Sequence, residues 1–289
     1  DSDHQQNPIF YTSHGDGTVT DNNTGLVWQK TTDGTMRQWD SARNYCSNLT
    51  LGNVSGWRLP EAFELQTIVN YGTNSPSIDP DFFPGTNNQY FWSATESSNN
   101  SNKAWGWDFN GGGSDTVDKG TSYDVRCVRG NSPMHSFTDN GDKTITDHRT
   151  GLVWQKETDG YGWEEGMGIC ENLSLGGNSD WRLPNIKELG SIIDFSATQS
   201  FIYTDFFPSV TSTFWSSSAS LNLSSSAWVV FFYDGKISQR KWHGNNHSVR
   251  CVRGGHKETI VPILNEITPI IAFTNDNTPD YTFHSNEAG

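Results

Sequence analysis

The sequence has no long hydrophobic run and few basic residues. No apolar stretch approaches the roughly 20 residues that a membrane helix needs. Lys and Arg together number 19 against 33 Asp and Glu, which gives a formal net charge of −14 at pH 7. Proteins that bind a polyanion usually have the opposite balance of charge. We therefore expect no membrane span and no nucleic-acid partner.

Hydrophobic residues are also scarce, but the aromatic ones among them are not. Only 33% of the residues are hydrophobic, whereas 13% are aromatic and 12 are tryptophan. Such a chain fills its core with few, large side chains. A length of 289 residues favours about two domains of ordinary size.

An internal duplication is the main pattern of the sequence. The segment GDGTVTD at 15–21 recurs as GDKTITD at 141–147, and TGLVWQK at 24–30 recurs unchanged at 150–156. Three later motifs also recur in the same order: WRLP at 57–60 and 181–184, FWS at 91–93 and 214–216, and VRCVRG at 125–130 and 249–254. We predict two domains, 1–130 and 131–254, followed by a tail, 255–289.

The four cysteines occupy matched positions, with Cys46 and Cys127 in the first repeat and Cys170 and Cys251 in the second. One disulfide within each repeat is the simplest pairing. Two other pairings exist and would link the repeats. Disulfides are typical of oxidising, extracellular compartments. A metal site is the rival interpretation, but it needs cysteine and histidine clustered at short ligand spacings.

Each repeat opens with a β pattern and continues with helical ones. Gly, Asn and Asp between the short apolar segments near the start are typical of turns between strands. Apolar residues then recur at helical spacing: Trp39, Ala42, Tyr45, Cys46 and Leu49, and later Ala62, Leu65, Ile68 and Val69. Pro60 and Pro184 suit the first turn of the second helix of their repeats. Short strands and loops are expected afterwards.

Two helices, a loop-rich antiparallel β region and a bond from the first helix to the last strand resemble the C-type-lectin-like fold. The ordered motifs narrow the resemblance to the domain named after the C-terminal region of the Legionella collagen-like protein, a domain of unknown function in bacterial surface proteins. That family is similar to the formylglycine-generating-enzyme branch of the fold. The resemblance implies an α+β protein with two tandem C-type-lectin-like domains.

The resemblance implies adhesion or ligand binding outside the cell and no catalysis. Each repeat is acidic, which argues against sulfated polymers and leaves a glycan or a protein as the ligand. Recognition is expected in the late loops, where the repeats differ. The predicted ligand-binding residues are Trp107, Asp108, Asn110, Tyr123, Tyr233, Lys241, Trp242, His243 and Asn246.

Catalysis, cofactors and metals are not expected. An oxidase of the formylglycine-generating type needs a reactive cysteine pair, whereas the fold places a structural bridge at both cysteine pairs of this chain. No histidine occurs at a matched position of both repeats. Turn chemistry is the interpretation of the recurring Asp residues, and calcium is kept as an alternative. That alternative concerns Asp16, Asp21, Asp142 and Asp147.

The tail at 255–289 leaves the repeat pattern. It contains β-branched, proline-punctuated segments, and the piece at 277–283 resembles the opening strand of an immunoglobulin-like repeat. An unpaired apolar strand favours docking onto a neighbouring chain. The alternative function is therefore a structural subunit of an extracellular filament, a homopolymer joined by this tail through strand addition.

Overall fold

A computed structural model describes residues 10–131, 134–208, 212–221 and 223–254, and the backbone at 265–266 and 283–284. The described residues form an α+β protein with two repeated domains, four helices and several antiparallel sheets. This is the fold class that the sequence predicts. None of the described helices has both the length and the hydropathy required to cross a bilayer.

The first domain contains nine elements in the order expected from the repeat. They are β1 (Tyr11–Ser13), β2 (Thr18–Asp21), β3 (Val27–Gln29), α1 (Trp39–Asn48), α2 (Ala62–Ile68), β4 (Tyr90–Glu96), β5 (Lys103–Asp108), β6 (Ser114–Asp118) and β7 (Val128–Arg129). Strands β1, β2, β3 and β7 form one sheet, which joins the two ends of the domain. Strands β4, β5 and β6 form a second antiparallel sheet.

The second domain repeats this order with two additional strands in its second sheet. Its elements are β8 (Phe137–Asp139), β9 (Thr144–Asp147), β10 (Leu152–Gln155), β11 (Asp159–Tyr161), α3 (Trp163–Glu171), α4 (Ile186–Ser191), β12 (Thr213–Ala219), β13 (Ser226–Phe231), β14 (Lys236–Lys241), β15 (His247–Val249) and β16 (Val252–Gly254). The sheets have the orders β16-β10-β9-β8 and β11-β15-β12-β13-β14. Strand β14 is therefore an edge strand.

The helix that carries the first cysteine of the first domain buries the face that the sequence predicts. In α1 the buried residues are Trp39, Ala42 and Cys46, which lie on one side of the helix. Disulfides join Cys46 to Cys127 and Cys170 to Cys251, so each bond ties the first helix to the end of its own domain. The pairing within each repeat is confirmed.

The second helix of each domain begins after an arginine that anchors it. Arg58 forms a two-pronged ion pair with Glu64, and Glu64 also accepts a hydrogen bond from the backbone N–H of Glu61 at the start of α2. Arg182 and Glu188 repeat the pair in the second domain. Pro60 and Pro184 precede the residue that caps each helix, so their predicted place in the first helical turn is wrong. The carboxylate of Glu64 or Glu188, and not the proline, caps the first turn of its helix.

The two domains share one core. Their second helices, α2 and α4, pack together, and the side-chain amide of Gln66 donates to the carbonyl oxygen of Ile186 at 3.1 Å. The ammonium of Lys187 donates to the carbonyl oxygen of Thr67 at 2.8 Å. A single cluster of buried side chains continues from one domain into the other. Since each domain offers its α2 or α4 face to the other, the contact resembles a two-fold interface between identical subunits.

Equivalent aromatic residues from the two repeats complete this contact. The Trp105 ring lies edge-on to Phe195, with ring centres 4.9 Å apart, and the equivalent Trp228 ring lies edge-on to Tyr71 at 4.8 Å. Because Tyr71 and Phe195 also occupy equivalent positions, the same contact is made twice, once in each direction. The domains are thus held by a repeated set of aromatic pairs.

Most of the tail lies outside the described residues. The backbone segments β17 (Asn265–Glu266) and β18 (Phe283–His284) pair with each other in antiparallel fashion. The predicted strand addition to a neighbouring chain concerns residues 255–289 as a whole and stays a prediction.

Candidate functional site

A groove with a volume of about 710 Å³ runs between the two domains. The turn between β5 and β6 of the first domain and the turn between β13 and β14 of the second form its walls. Its lining residues are Tyr90, Asp108, Gly111, Gly113, Ser114, Asp115, Leu223, Trp228, Phe231, Tyr233, Asp234, Lys236, Ile237, Ser238, Gln239 and Arg240. We call this the interdomain groove. Its residues come from the late part of both repeats.

One ion pair and one hydrogen bond fix the two walls of the interdomain groove. The ammonium of Lys236 lies 2.9 Å from a carboxylate oxygen of Asp115. The backbone N–H of Ile237 donates to the hydroxyl of Ser114 at 3.0 Å, and this hydrogen bond is buried. Since each contact joins the start of β14 to the start of β6, the two edge strands are held together where they begin.

Lys236 forms ion pairs with two carboxylates, those of Asp115 and Asp234. Burial acts to lower the pKa of its ammonium, but the hydrogen bond to Asp115 and the charges of Asp115 and Asp234 outweigh burial, so that this pKa is raised. Burial raises the pKa of Asp234, although Lys236 acts in the opposite direction. The lysine thus balances much of the negative charge at this end of the groove.

Aromatic rings and a guanidinium surround the rest of the groove. Arg240 lies over the ring of Phe231, 4.5 Å from its centre, and Phe231 is 5.3 Å from Tyr233. Burial and the negative charges of Asp115 and Asp108 raise the pKa of Tyr90 to about 12, so its hydroxyl stays protonated at neutral pH. Hydroxyl, guanidinium and carboxylate groups beside aromatic faces are suited to recognising a polar ligand.

Three of the predicted ligand-binding residues lie at this groove or beside it. Asp108 and Tyr233 line it from opposite domains. Asn110 is exposed on the adjoining turn, where its side-chain oxygen accepts a hydrogen bond from Ser75 at 2.9 Å. The structure thus brings together residues that are more than 120 positions apart in the sequence.

The prediction that Trp107 binds a ligand from a surface loop is wrong. It lies in strand β5 and not in a loop, and its side chain is 0% exposed. Its ring faces Phe195 of the second domain, with ring centres 6.5 Å apart. Trp107 therefore belongs to the shared core and is not available to a ligand on the surface.

The other predicted residues lie elsewhere on the surface. Tyr123 is half-buried, and its ring packs against Trp92 at 5.1 Å and Tyr90 at 5.5 Å. Trp242 stacks on Trp163 with ring centres 4.5 Å apart, and His243 lies beside it at 6.0 Å. Lys241 ends β14, and Asn246 is exposed in the following turn. We call the stacked residues Trp163, Trp242 and His243 the tryptophan cluster; none of them lines the interdomain groove.

Most residues that line the groove are not among the predicted ones, and these include the charged and aromatic residues Tyr90, Asp115, Phe231, Lys236 and Arg240. The repeat alignment contains a signal for two of them, because Lys236 aligns with a glycine and Arg240 with a valine of the first domain. Such a change from a small or apolar residue to a cation indicates a role specific to one repeat. The pairing with the other domain has no signal in the local sequence.

The recurring aspartates take part in their own turns. A carboxylate oxygen of Asp16 accepts hydrogen bonds from the backbone N–H and the hydroxyl of Thr18, at 3.1 and 2.7 Å. Asp142 makes the same two bonds with Thr144. Asp21 likewise accepts from Asn23. This is the turn chemistry that the sequence indicates for these positions.

The shared arginines of the closing motif are structural. Arg126 is fully buried and donates to the carbonyl oxygens of Gln29 and Lys30 and to the hydroxyl of Thr86. Arg250 makes the equivalent backbone contacts in the second domain. Burial lowers the pKa of both guanidinium groups to about 9. They tie the segment before the last strand of each domain to the end of β3 or β10, and neither arginine lines the groove.

Comparison with known proteins agrees with the duplication. The family model described as the Lcl C-terminal domain matches the chain twice, over residues 17–129 and 143–253. A search of curated proteins finds no match. Both walls of the interdomain groove lie inside the matched ranges.

Proposed function

Because the chain belongs to the Lcl C-terminal domain family through both of its repeats, we propose that it is a non-catalytic binding protein of the bacterial cell surface. Its ligand, a glycan or a protein, occupies the interdomain groove. The two domains act as one binding unit, since each contributes one wall.

The observation that carries this proposal is the composition of the groove. Tyr90 and Asp108 approach from the first domain, and Tyr233 and Arg240 approach from the second. Aromatic faces next to charged and hydroxyl groups suit a sugar ring or a polar protein surface. The shared core behind the groove keeps the two walls at a fixed separation, which lowers the entropy that binding would cost.

The cysteines support binding over catalysis. All four are engaged in disulfides, so no thiol of this chain is available as a nucleophile or a copper ligand. Disulfides are also typical of oxidising compartments, which supports a location outside the cytoplasm. The acidic net charge favours ligands other than sulfated polymers.

A ligand screen tests the proposal. The disulfide-intact chain is applied to a glycan array and a panel of bacterial and host surface proteins, together with the double variant Tyr233→Ala, Arg240→Ala. The matched control is Trp242→Ala, His243→Ala, which alters the tryptophan cluster outside the groove. We expect ligands that bind the wild type and the control at equal strength and bind the groove variant at least about tenfold more weakly. Ligands whose binding is lost only in the control variant would show that the groove is not the binding site.

A further inference from the structure

We propose that the ligand of the interdomain groove is an extended peptide segment with acidic side chains, which adds as a further strand to the edge of β14 beyond its contact with β6, from Gln239 onward. The inference rests on the proposed function, since it takes the groove as the binding site and names the chemical class of its occupant. Strand addition supplies affinity through main-chain hydrogen bonds and specificity through side-chain pockets.

The groove follows the edge of β14 and also reaches β13, since Trp228 and Phe231 line it. Five consecutive residues of this strand, from Lys236 to Arg240, line the groove. Successive side chains of a strand point to opposite faces of the sheet. A groove that touches every residue in turn must therefore run beside the strand, where a further strand would lie.

The backbone of β14 offers hydrogen-bond donors into the groove. The N–H of Ile237 points away from β13, because it donates to the hydroxyl of Ser114 in the first domain. In an antiparallel ladder the N–H groups of residues two apart point to the same edge. The N–H groups of Gln239 and Lys241 therefore also point away from β13, and Gln239 lies in the groove lining, whereas Ser114 already takes the donor of Ile237.

The equivalent position in the first domain is occupied. Strand β6 is the edge of its own sheet, and Thr116 aligns with Gln239 of the second domain. The backbone N–H of Thr116 donates to the carboxylate of Asp115 at 2.6 Å. Because Asp115 takes this donor, the position that is open at Gln239 of β14 is occupied at Thr116 of β6.

The charge of β14 selects an acidic partner. In the described part of the chain, Arg240 and Lys241 form no ion pair with a carboxylate, whereas Asp115 and Asp234 already share Lys236. Both Arg240 and Lys241 are exposed. Basic residues on an edge strand repel a second basic edge, including another β14, and attract an acidic segment. The end of β14 is thus positive on a protein that is acidic overall, with Arg240 in the groove lining and Lys241 just beyond it, although Asp108, Asp115 and Asp234 also line the groove.

Apolar side chains flank the same edge. Leu223 is 52% exposed and Tyr233 is 45% exposed, and both line the groove. They offer apolar contacts to a strand that lies in the groove. A peptide that alternates β-branched and acidic residues would match this edge.

Selection from a library of random linear twelve-residue peptides displayed on phage tests the inference. The bait is the disulfide-intact chain, and the enriched peptides are synthesised for affinity measurements. We expect sequences that combine β-branched with acidic residues. Gln239→Pro removes one main-chain donor at a position where an edge strand tolerates proline, whereas Gln239→Ala keeps the donor and removes the side chain. We expect the peptides to bind Gln239→Pro about tenfold more weakly than Gln239→Ala.

Two further readouts make the outcome decisive. Arg240→Glu should weaken the binding of acidic peptides and strengthen the binding of basic ones. If Gln239→Pro does not fold, amide exchange on the native chain replaces it: a bound peptide should slow exchange at Gln239 and Lys241 and leave Thr116 unchanged. Equal affinity for the Pro and Ala variants, unchanged exchange, or no enriched peptide would overturn the inference. Glycans that bind the wild type and fail to bind the variant Tyr233→Ala, Arg240→Ala would overturn strand addition alone. Ligands that bind this variant as strongly as the wild type would overturn the proposed function too.

Discussion

The side-chain amide of Gln66 fills the space in which Gly190 would carry a side chain. These two residues occupy equivalent positions of the two repeats, on α2 and α4, and they meet where the helices cross. A Cβ atom at Gly190 would overlap the amide of Gln66. The duplication is therefore asymmetric at the centre of its own interface, since one repeat supplies a long side chain and the other supplies none.

Substitution at this crossing should weaken the contact between the domains. Gly190→Ala displaces the Gln66 amide and breaks its hydrogen bond to Ile186, so we expect the free energy of unfolding to fall by about 1–3 kcal/mol. The measurement is chemical denaturation of the disulfide-intact chain. In the double variant Gln66→Ala, Gly190→Ala the loss should be smaller than the sum of the single losses. Additive losses would show that the two positions do not interact.

The buried ion pairs at the start of the second helices should contribute far more to the free energy of unfolding than the exposed ion pairs do. Glu188 is almost fully buried, so Arg182→Met leaves its carboxylate without its charged partner, and we expect a loss of about 3–5 kcal/mol. Lys156→Met breaks the more exposed pair with Asp139 and should cost at most about 1 kcal/mol. Thermal unfolding of both variants makes the comparison. Similar melting temperatures for the two variants would contradict the structural role of Arg182.

Acid should destabilise the chain in part through His135. Burial, together with the charge of Arg149, lowers the pKa of His135 to about 3. The unfolded chain takes up a proton at this residue below about pH 6.5 and the folded chain does not, so stability falls as the pH falls from 6.5 toward 3. In His135→Gln the plot of unfolding free energy against pH should become shallower in this window by up to one proton. Parallel plots for the variant and the wild type would refute this contribution.

The repeat structure of the sequence predicts the parts of the fold that depend on local pattern. Trp39, Ala42 and Cys46 lie on one face of α1 because a helical period already places them together. The pairing of Cys46 with Cys127 follows from the symmetry of the duplication. Neither feature requires knowledge of how the two domains pack against each other.

Trp107 shows where such patterns fail. In β5 it shares a face with Trp105, and Phe195 of the second domain covers that face. A tryptophan beside polar residues in a segment specific to one repeat resembles a surface position until the partner domain is in place. The groove was unpredictable for the same reason, since Asp115 and Lys236 meet only after the domains have packed.

Hydrogen–deuterium exchange of the intact chain, with and without a ligand from the screens, tests the central claim most directly. If the ligand occupies the interdomain groove, protection should appear in residues 108–115 and 231–241 together, because both domains supply the walls. Residues 161–165 and 242–247, which include the tryptophan cluster, should exchange at unchanged rates. Protection confined to the tryptophan cluster, with the groove segments unaffected, would contradict the account.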